Sequence, residues 1–479
     1  MVKSFARWFV RWEIGWLLLL APFLFFPTPM RSLSLLGIPL LWLLRWVAWG
    51  RVVPRTSLDW PLFFLLFMVG VSLWATFDPL FSLPKVTGVL LGVAFFYALV
   101  SYVRWYGALW LPLAVLIVVS CSVAGVSILG MNWADKFPVF APMVARLPQV
   151  IGALPGSPPA GFNPNSVAGA LLFAFPLLVV ILFRLTLEAG FGRQEPLVSS
   201  GKPSKVEWGG IEQNFPPRIR GNFWGAARRG LLYLLLLAAL ALVSGILVLT
   251  QSRGGYLGLL VGVGALLFLP RPRLLLLAIM MGGLLVGGVG WFEPDLLERY
   301  FSQNAALAGQ TAAGVNSLQG RIEIWSRALY GMQDFPFTGM GMGTFRRVVP
   351  ILYPLFTISP DTDIGHPHNH LLAAGVDLGI PGLIAYLALW LGAAAMCWQV
   401  WRTSPLELAQ RAPRNEGGHR LRRANYRALA LGLAAGMMAH FTWGVFDSNV
   451  LGSKAGFVFW LALGAIASLH EVVVGRERR

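Results

Sequence analysis

The sequence predicts an all-α, polytopic membrane protein with about twelve transmembrane helices and a partly helical extracytoplasmic cap between the ninth and tenth. Three observations carry this. Apolar residues make up 56% of the chain and charged residues only 12%, at a mean hydropathy of +0.66. Most of a water-soluble surface built from that balance could not be wetted. Apolar runs long enough to cross a hydrocarbon core recur from end to end. The basic residues, finally, divide unevenly between the segments that join those runs.

In order, the spans fall near 14–28, 32–49, 60–77, 83–103, 108–131, 166–186, 228–250, 254–270, 273–291, 376–401, 426–446 and 452–474. Met1–Pro27 has the basic start and apolar middle of a signal peptide, but Phe and Pro occupy its end where small residues would mark cleavage. It reads as an uncleaved first helix. With the N-terminus inside, 27 of the 38 Lys and Arg fall on the cytoplasmic side and 11 outside. That bias sets the orientation and places both termini in the cytoplasm.

The chain therefore divides into N-terminal transmembrane helices over 1–291, a cap loop over 292–368 and C-terminal transmembrane helices over 369–479. The stretch 187–227, rich in Gly, Pro, Ser and charge, reads as a cytoplasmic linker inside the first part. The cap combines a helical pattern at Ile322–Met332 with Gly-rich turns, and a structureless loop of its length would be unusual without a function. A second outer segment, 132–165, carries an amphipathic piece at Phe137–Ile151 and is expected along the interface.

The net charge of +17 does not point to nucleic acid, because the basic residues are dispersed through loops facing anionic lipid. The lipid bilayer is the partner that composition implies. Cys121 and Cys397 fall inside spans, which argues against a structural disulfide.

Chemistry gathers on the expected outer side. His366, His368 and His370 are half of the chain's six histidines and precede a long apolar helix. Titratable groups at such a boundary are costly unless they do a job there. A metal site, a structural role and proton transfer are all open for them, with proton transfer leading. Pro367 keeps His366 off the helix, and carboxylates nearby are few, which counts against metal. Arg253, in Thr250-Gln251-Ser252-Arg253-Gly254-Gly255, runs against the positive-inside bias. It is either a headgroup anchor or a donor fork for phosphate. Arg321 opens the cap's helical stretch and alone is an ordinary helix-start arginine, paired with Glu323 or Asp334. The run Gly339-Met340-Gly341-Met342-Gly343 lacks dinucleotide-loop spacing and reads as a tight turn packing the cap.

The run His368-Asn369-His370-Leu371-Leu372 to Gly379-Ile380-Pro381-Gly382-Leu383 resembles the signature of the O-antigen ligase/polymerase family. Ser252-Arg253-Gly254-Gly255, the stretch from Arg321 to Trp325 followed by Pro336, Gly339, Gly341, Gly343 and Phe345, and Gly161-Phe162-Asn163-Pro164-Asn165 are similar to further motifs of that family. The similarity covers roughly residues 155–450. It implies a membrane glycosyltransferase of the inner membrane, acting at the outer face without metal or other cofactor. Its donor would be a polyprenyl-diphosphate-linked glycan and its acceptor a hydroxyl on a glycan, lipid or protein, with inversion at the anomeric carbon. His368, Arg253 and Arg321 would be catalytic. Asn369, His366, His370, Asn165 and Asp447 would contact substrate. A repeat-unit polymerase of the same family is the nearest alternative. A solute transporter, for inorganic carbon, is a more distant one and would require ionisable residues and broken helices deep in the membrane.

Overall fold

The structure, a computed structural model, describes residues 2–25, 30–131, 133, 137–147, 161–191, 220–271, 273–274, 276–277, 280, 318–359, 362–403, 419–449 and 451–475. Among the described residues the secondary structure is helical, apart from one β-bridge between Met131 and Phe162. The helices are α1 (Val2–Arg11), α2 (Glu13–Phe25), α3 (Gly37–Trp49), α4 (Asp59–Ala75), α5 (Pro79–Tyr106), α6 (Trp110–Gly130) and the single turn α7 (Ala141–Val144). They continue with α8 (Pro164–Leu171), α9 (Ala174–Phe191), α10 (Arg220–Leu249), α11 (Arg253–Phe268), α12 (Leu318–Asp334), α13 (Phe345–Leu352), α14 (His370–Arg402), α15 (His419–Phe446) and α16 (Phe457–Val473).

Six stretches are long and apolar enough to cross a membrane: Pro79–Tyr106, Trp110–Gly130, Pro164–Leu187, Arg228–Leu249, His370–Arg402 and Asn425–Phe446. Each overlaps an expected span. The shorter apolar helices Glu13–Leu24, Leu33–Trp49, Asp59–Ala75, Arg253–Phe268 and Phe457–Val473 fall on five more. Most of the ninth expected span, linker residues 192–219 and cap residues 292–317 lie outside the described residues. Of the amphipathic piece expected at 137–151, residues 137–147 contain one 3-10 turn and α7, and 148–151 lie outside the described residues.

The N-terminal stretch forms two helices rather than one. In α1, Ala6 and Val10 are buried against Ala48 of α3, while Val2, Phe5 and Trp8 are exposed and alternate with Lys3, Arg7 and Arg11. That is the pattern of a helix lying in an interface. The chain turns at Trp12, and Glu13 enters the bundle to pair with the guanidinium of Arg45 in α3. Arg45 also donates to the Val52 carbonyl at 3.0 Å. A buried charge needs such a set of partners.

Helix faces lined by small residues let the bundle close. A Cβ on Gly258 of α11 would come 2.5 Å from the Ala439 carbonyl oxygen of α15, and one on Gly436 would come 2.6 Å from that of Phe173, just before α9. In a membrane setting, where apolar burial does not separate helix from lipid, this close backbone approach is what holds helices together. α5 and α16 pack on each other at the centre, and α14 packs on α4 and α15.

The described part of the cap, 318–368, has its own apolar cluster of Ile324, Ala328, Met340, Phe345, Val349, Leu355, Ile358 and Ile364, which Val376 of α14 completes. The Glu323 carboxylate gathers the amides of Phe356, Thr357 and Ile358 at 2.6–3.1 Å and pairs with Arg327 at 3.3 Å. Asp334 accepts from the Tyr353 hydroxyl at 2.5 Å. Both carboxylates expected beside Arg321 are thus committed within the segment.

This segment is fastened to α14 where that helix breaks. Gly379 adopts φ 71°, ψ 178°, outside helical geometry, with Pro381 just beyond. Three polar backbone groups at the break find partners outside α14. The Met340 amide donates to the Val376 carbonyl at 2.7 Å, Ser72 Oγ to the Asp377 carbonyl at 2.7 Å, and the Ile380 amide to the Pro336 carbonyl at 2.7 Å. A broken helix in apolar surroundings persists only when such groups are re-satisfied. Gly379→Ala places a Cβ 2.7 Å from the Phe337 carbonyl carbon at a dihedral pair that only glycine adopts readily. It is expected to destabilise the protein by roughly 3 kcal/mol, read as a lower thermal midpoint in detergent. Gly70→Ala, in open space on α4, is the neutral control; equal midpoints for the two variants would contradict the clamp.

Candidate functional site

Four helices begin with a side-chain cap. Asp78 accepts from the Phe81 amide, Asn163 from Asn165, Ser252 from Gly255, and Asn369 from Leu371 and Leu372, all at 2.8–3.1 Å. Such residues satisfy amides that a helix leaves unpaired at its start. Cross-links bring all four starts to one end of the bundle. Arg347 pairs with Asp78 at 2.9 Å, Asn449 Nδ2 donates to the Ser166 carbonyl at 3.1 Å, and Asn369 Nδ2 donates to the Val445 carbonyl at 3.1 Å. Arg321 donates to the Phe446 carbonyl, and Gly254 abuts Trp443 and Phe446.

At that end stands a compact cluster. His368 Nδ1 lies 3.3 Å from Asp447 Oδ1, and the His366 and His368 rings are 4.4 Å apart. The His368 amide donates to His366 Nδ1 at 3.2 Å. His368 sits at φ 50°, the left-handed region that non-glycine residues rarely occupy. Strain of that kind gathers at functional positions. Asp447 follows α15, and its Oδ1 also accepts the Ser448 amide at 2.8 Å.

The electrostatics assign protons. Burial pushes the Asp447 carboxyl up, but the His368 hydrogen bond, the charges of His368 and His366 and the Ser448 amide outweigh it and hold the group below the usual carboxylate range. An ionised Asp447 only accepts, so the hydrogen between the two groups lies on His368 Nδ1. Burial, seconded by the charge of His368, drives His366 down to about 3. It stays neutral, in keeping with its Nδ1 acting as an acceptor.

Arg321 is half-buried at the start of α12. Burial lowers its pKa, the Asp447 charge opposes this, and Arg253 adds to it. Arg321 on α12 thus lies within electrostatic reach of both Asp447 and Arg253 of α11. Arg253 is the exposed one.

Two expected substrate contacts are corrected. His370 turns away from its neighbours into the bundle. It is buried, its Nδ1 lies 2.9 Å from the Tyr386 hydroxyl, and it packs edge-on against Trp390 and Phe441. It fills space against Gly444, where a Cβ would come 2.9 Å from the ring. The whole Asn369 amide is used in capping α14 and tying it to α15. Its Oδ1 accepts the amides of Leu371 and Leu372. Asn165 takes its place at the start of α8, half-buried beside Ser166.

The structure also adds residues that motif reading missed. A polar pocket of about 270 Å³ beside His366 is lined by Lys85, Ser166, Gly343, Arg346, Ser448, Asn449 and Ser453 among others. Lys85 and Arg346 are basic residues on the side expected to be poor in them, the same signal that singles out Arg253. A larger groove of about 570 Å³, lined by Trp390, Trp398, Met437 and Phe441, offers no ionisable side chain other than Cys397.

Metal ligation has one candidate among the described residues. One ligand atom each from His366, His368 and Asp447 lie within 4.8 Å of one another. His366 Nδ1 and His368 Nδ1 are engaged in the hydrogen bonds above, which leaves the two Nε2 atoms and a carboxylate oxygen.

Comparison with known proteins agrees with this geometry. No curated protein matches the chain. Residues 238–387 match the family model described as O-antigen ligase. That stretch runs from α10 through α11, α12, α13 and His368 to just beyond the break in α14; Lys85 and Asp447 lie outside it. Over those residues, inside a helical, many-span architecture, the chain is similar to the O-antigen ligase family.

Proposed function

We propose that the protein is a membrane glycosyltransferase that moves an oligo- or polysaccharide from a polyprenyl diphosphate to an acceptor hydroxyl at the outer face of the inner membrane. The observation that carries this reading is the Asp447–His368 pair within electrostatic reach of Arg321, which is itself within reach of Arg253. Asp447 holds His368 in the tautomer whose Nε2 accepts a proton, the arrangement a general base needs. The two guanidiniums suit a diphosphate, whose charge grows as the sugar–phosphate bond breaks.

The reaction balances on these groups. The acceptor hydroxyl gives its proton to His368 Nε2 while its oxygen attacks the anomeric carbon. The carbon–oxygen bond to the diphosphate breaks, and its electron pair leaves on the phosphate oxygen against Arg253 and Arg321. Attack opposite that leaving group inverts the anomeric centre. Diphosphate is a good leaving group, so positioning and charge stabilisation suffice. A ligase and a repeat-unit polymerase share every one of these steps and differ in the acceptor.

The break in α14 is the feature that would favour transport instead. It lies nine residues into the helix, about 14 Å from its start. Its Val376 and Asp377 carbonyls already accept from Met340 and Ser72, so they are taken up by the protein rather than turned to a passing ion. His440 is likewise held by the Gly169 carbonyl at 2.7 Å and stacked on Phe173. These partners support a surface-facing enzyme.

With purified protein and a lipid-diphosphate donor, His368→Ala and Arg253→Ala are expected to lower glycan transfer by about a hundredfold or more. Asp447→Asn should lose about as much through the wrong imidazole tautomer. Each variant should still elute as a folded, monodisperse species, and full activity in any of them removes that residue from the scheme. Exhaustive chelation should leave the rate unchanged. Loss of activity restored by a divalent ion would instead assign His366, His368 and Asp447 to a metal. Accumulation of single repeats on the carrier after gene deletion marks a polymerase, and of long chains a ligase.

A further inference from the structure

The pocket beside His366 holds more positive charge than its own carboxylates answer. The stem of Lys85 lies along Gly343, where a Cβ would sit 2.8 Å from its Cε and 2.9 Å from its Nζ. The charges acting on Lys85 are those of Asp377 and Arg346. Asp377 Oδ1 is held by the Gly343 amide at 2.9 Å. Arg346 pairs with Asp363 at 2.6 Å, but both side chains are more than half exposed, at 51% and 64%. Such a surface pair is worth little and exchanges readily for another anion.

The opposite wall is built of unanswered polar atoms. Ser448 Oγ and Asn449 Oδ1 are buried with no hydrogen-bond partner among the described residues. Asn449 cannot relieve this by flipping, since its Nδ2 is committed to the Ser166 carbonyl at 3.1 Å. Buried orphans of this kind call for a ligand or an ordered water. Water would answer the hydroxyl and the amide but not Arg346, whose exposed pairing with Asp363 exchanges readily for another anion. At about 270 Å³ the pocket is smaller than a typical drug-sized site and suits a single sugar ring.

We propose that this pocket is a subsite for an anionic sugar unit, one bearing a phosphate or a carboxylate, whose charge meets Lys85 and Arg346 and whose hydroxyls meet Ser448 and Asn449. Charge selects the unit, while the Asn449 acceptor and Ser448 hydroxyl orient its ring. Because His366 lines the pocket and its ring is 4.4 Å from that of His368, a sugar held here places its neighbour in the chain beside the proposed base. The inference rests on the transfer reading for its role, though not for its binding chemistry. Such a unit belongs either to the acceptor's end or to the donor's repeat.

The test uses the full chain in detergent, with glucose 6-phosphate, glucuronate and glucose as probes. Wild type should bind the two anionic probes about tenfold or more tighter than glucose. Lys85→Gln and Arg346→Gln should each weaken the anionic probes by roughly tenfold, and Arg253→Gln should weaken them less. Arg346 is exposed on α13, so its variant keeps the test sound if Lys85→Gln misfolds. Equal affinity for glucose, no measurable binding of either anion, or unchanged affinity in Arg346→Gln overturns the proposal. So does equal loss in Arg253→Gln, which would merge the pocket with the diphosphate site. In a transfer assay, a raised KM for acceptor assigns the unit to the acceptor and a raised KM for donor assigns it to the donor; both support the subsite. Arg253→Ala retaining full transfer while the probes still bind at Lys85 and Arg346 would sink the transfer reading alone.

Discussion

The clamp between the Gly339–Gly343 turn and the broken part of α14 is the constraint on which the site depends. It joins backbone to backbone through Met340 and Ile380, and the Ser72 side chain of α4 adds a third point. In apolar surroundings, groups left open at a helix break would each cost free energy comparable to a lost hydrogen bond or more. The turn therefore cannot drift without exposing them. What it carries follows: the Gly343 amide fixes Asp377, Lys85 lies along Gly343, and α12 and α13, with Arg321 and Arg346, are built around the same apolar cluster that Val376 completes. A loop-borne site gains in this way the rigidity that active groups otherwise take from helices.

The clamp also explains which parts of the sequence could be read. Spans were legible because hydrocarbon thickness imposes a length and an apolarity that few other demands share. Gly379 and Gly382 stood out by resemblance, and their physical reason is now visible. A Cβ on Gly379 meets the Phe337 carbonyl, and one on Gly382 meets the Leu378 side chain. Arg253 and His368 were legible as polar groups out of place. Lys85 carried the same signal, a basic residue on the side poor in them, but it sits inside an apolar run and belongs to no motif. Its partner Asp377 is 292 positions away in the chain. Pairings of that range are set by tertiary packing, and one sequence does not display them.

Asn369 and His370 show the opposite failure. Residue type and position suggested ligand contacts, and both side chains face inward. An Asn directly before a long apolar helix is first of all a cap. A His one residue further lies on the helix, where its direction follows the helical period and here leads to Tyr386, Trp390 and Phe441. The two-residue step between His366 and His368, with Pro367 between them, lies outside the helix and keeps those two rings together. Three histidines of one run thus take three settings: an acceptor of the His368 amide, a ring beside Asp447 that we propose as the base, and a packed core group.

The capped helix starts lead to a final point about anions at this end of the bundle. Four helices point their positive ends there, which suits negative charge. Yet Asp78, Asn163, Ser252 and Asn369 already hold amides of the first turns. The donors that a phosphate would take at a bare helix start are therefore partly spent. Recognition falls instead to side chains that can reach past the caps: Arg253 and Arg321 on one set of elements, Lys85 and Arg346 on another. Guanidinium and ammonium groups bind through reach and charge, and they tolerate anions of different shape better than a fixed ring of amides does. An end built this way can meet a diphosphate and a second anionic unit with one fold. The histidine cluster contacts the environment of both, since Arg321 is coupled to Asp447 and Lys85 to His366.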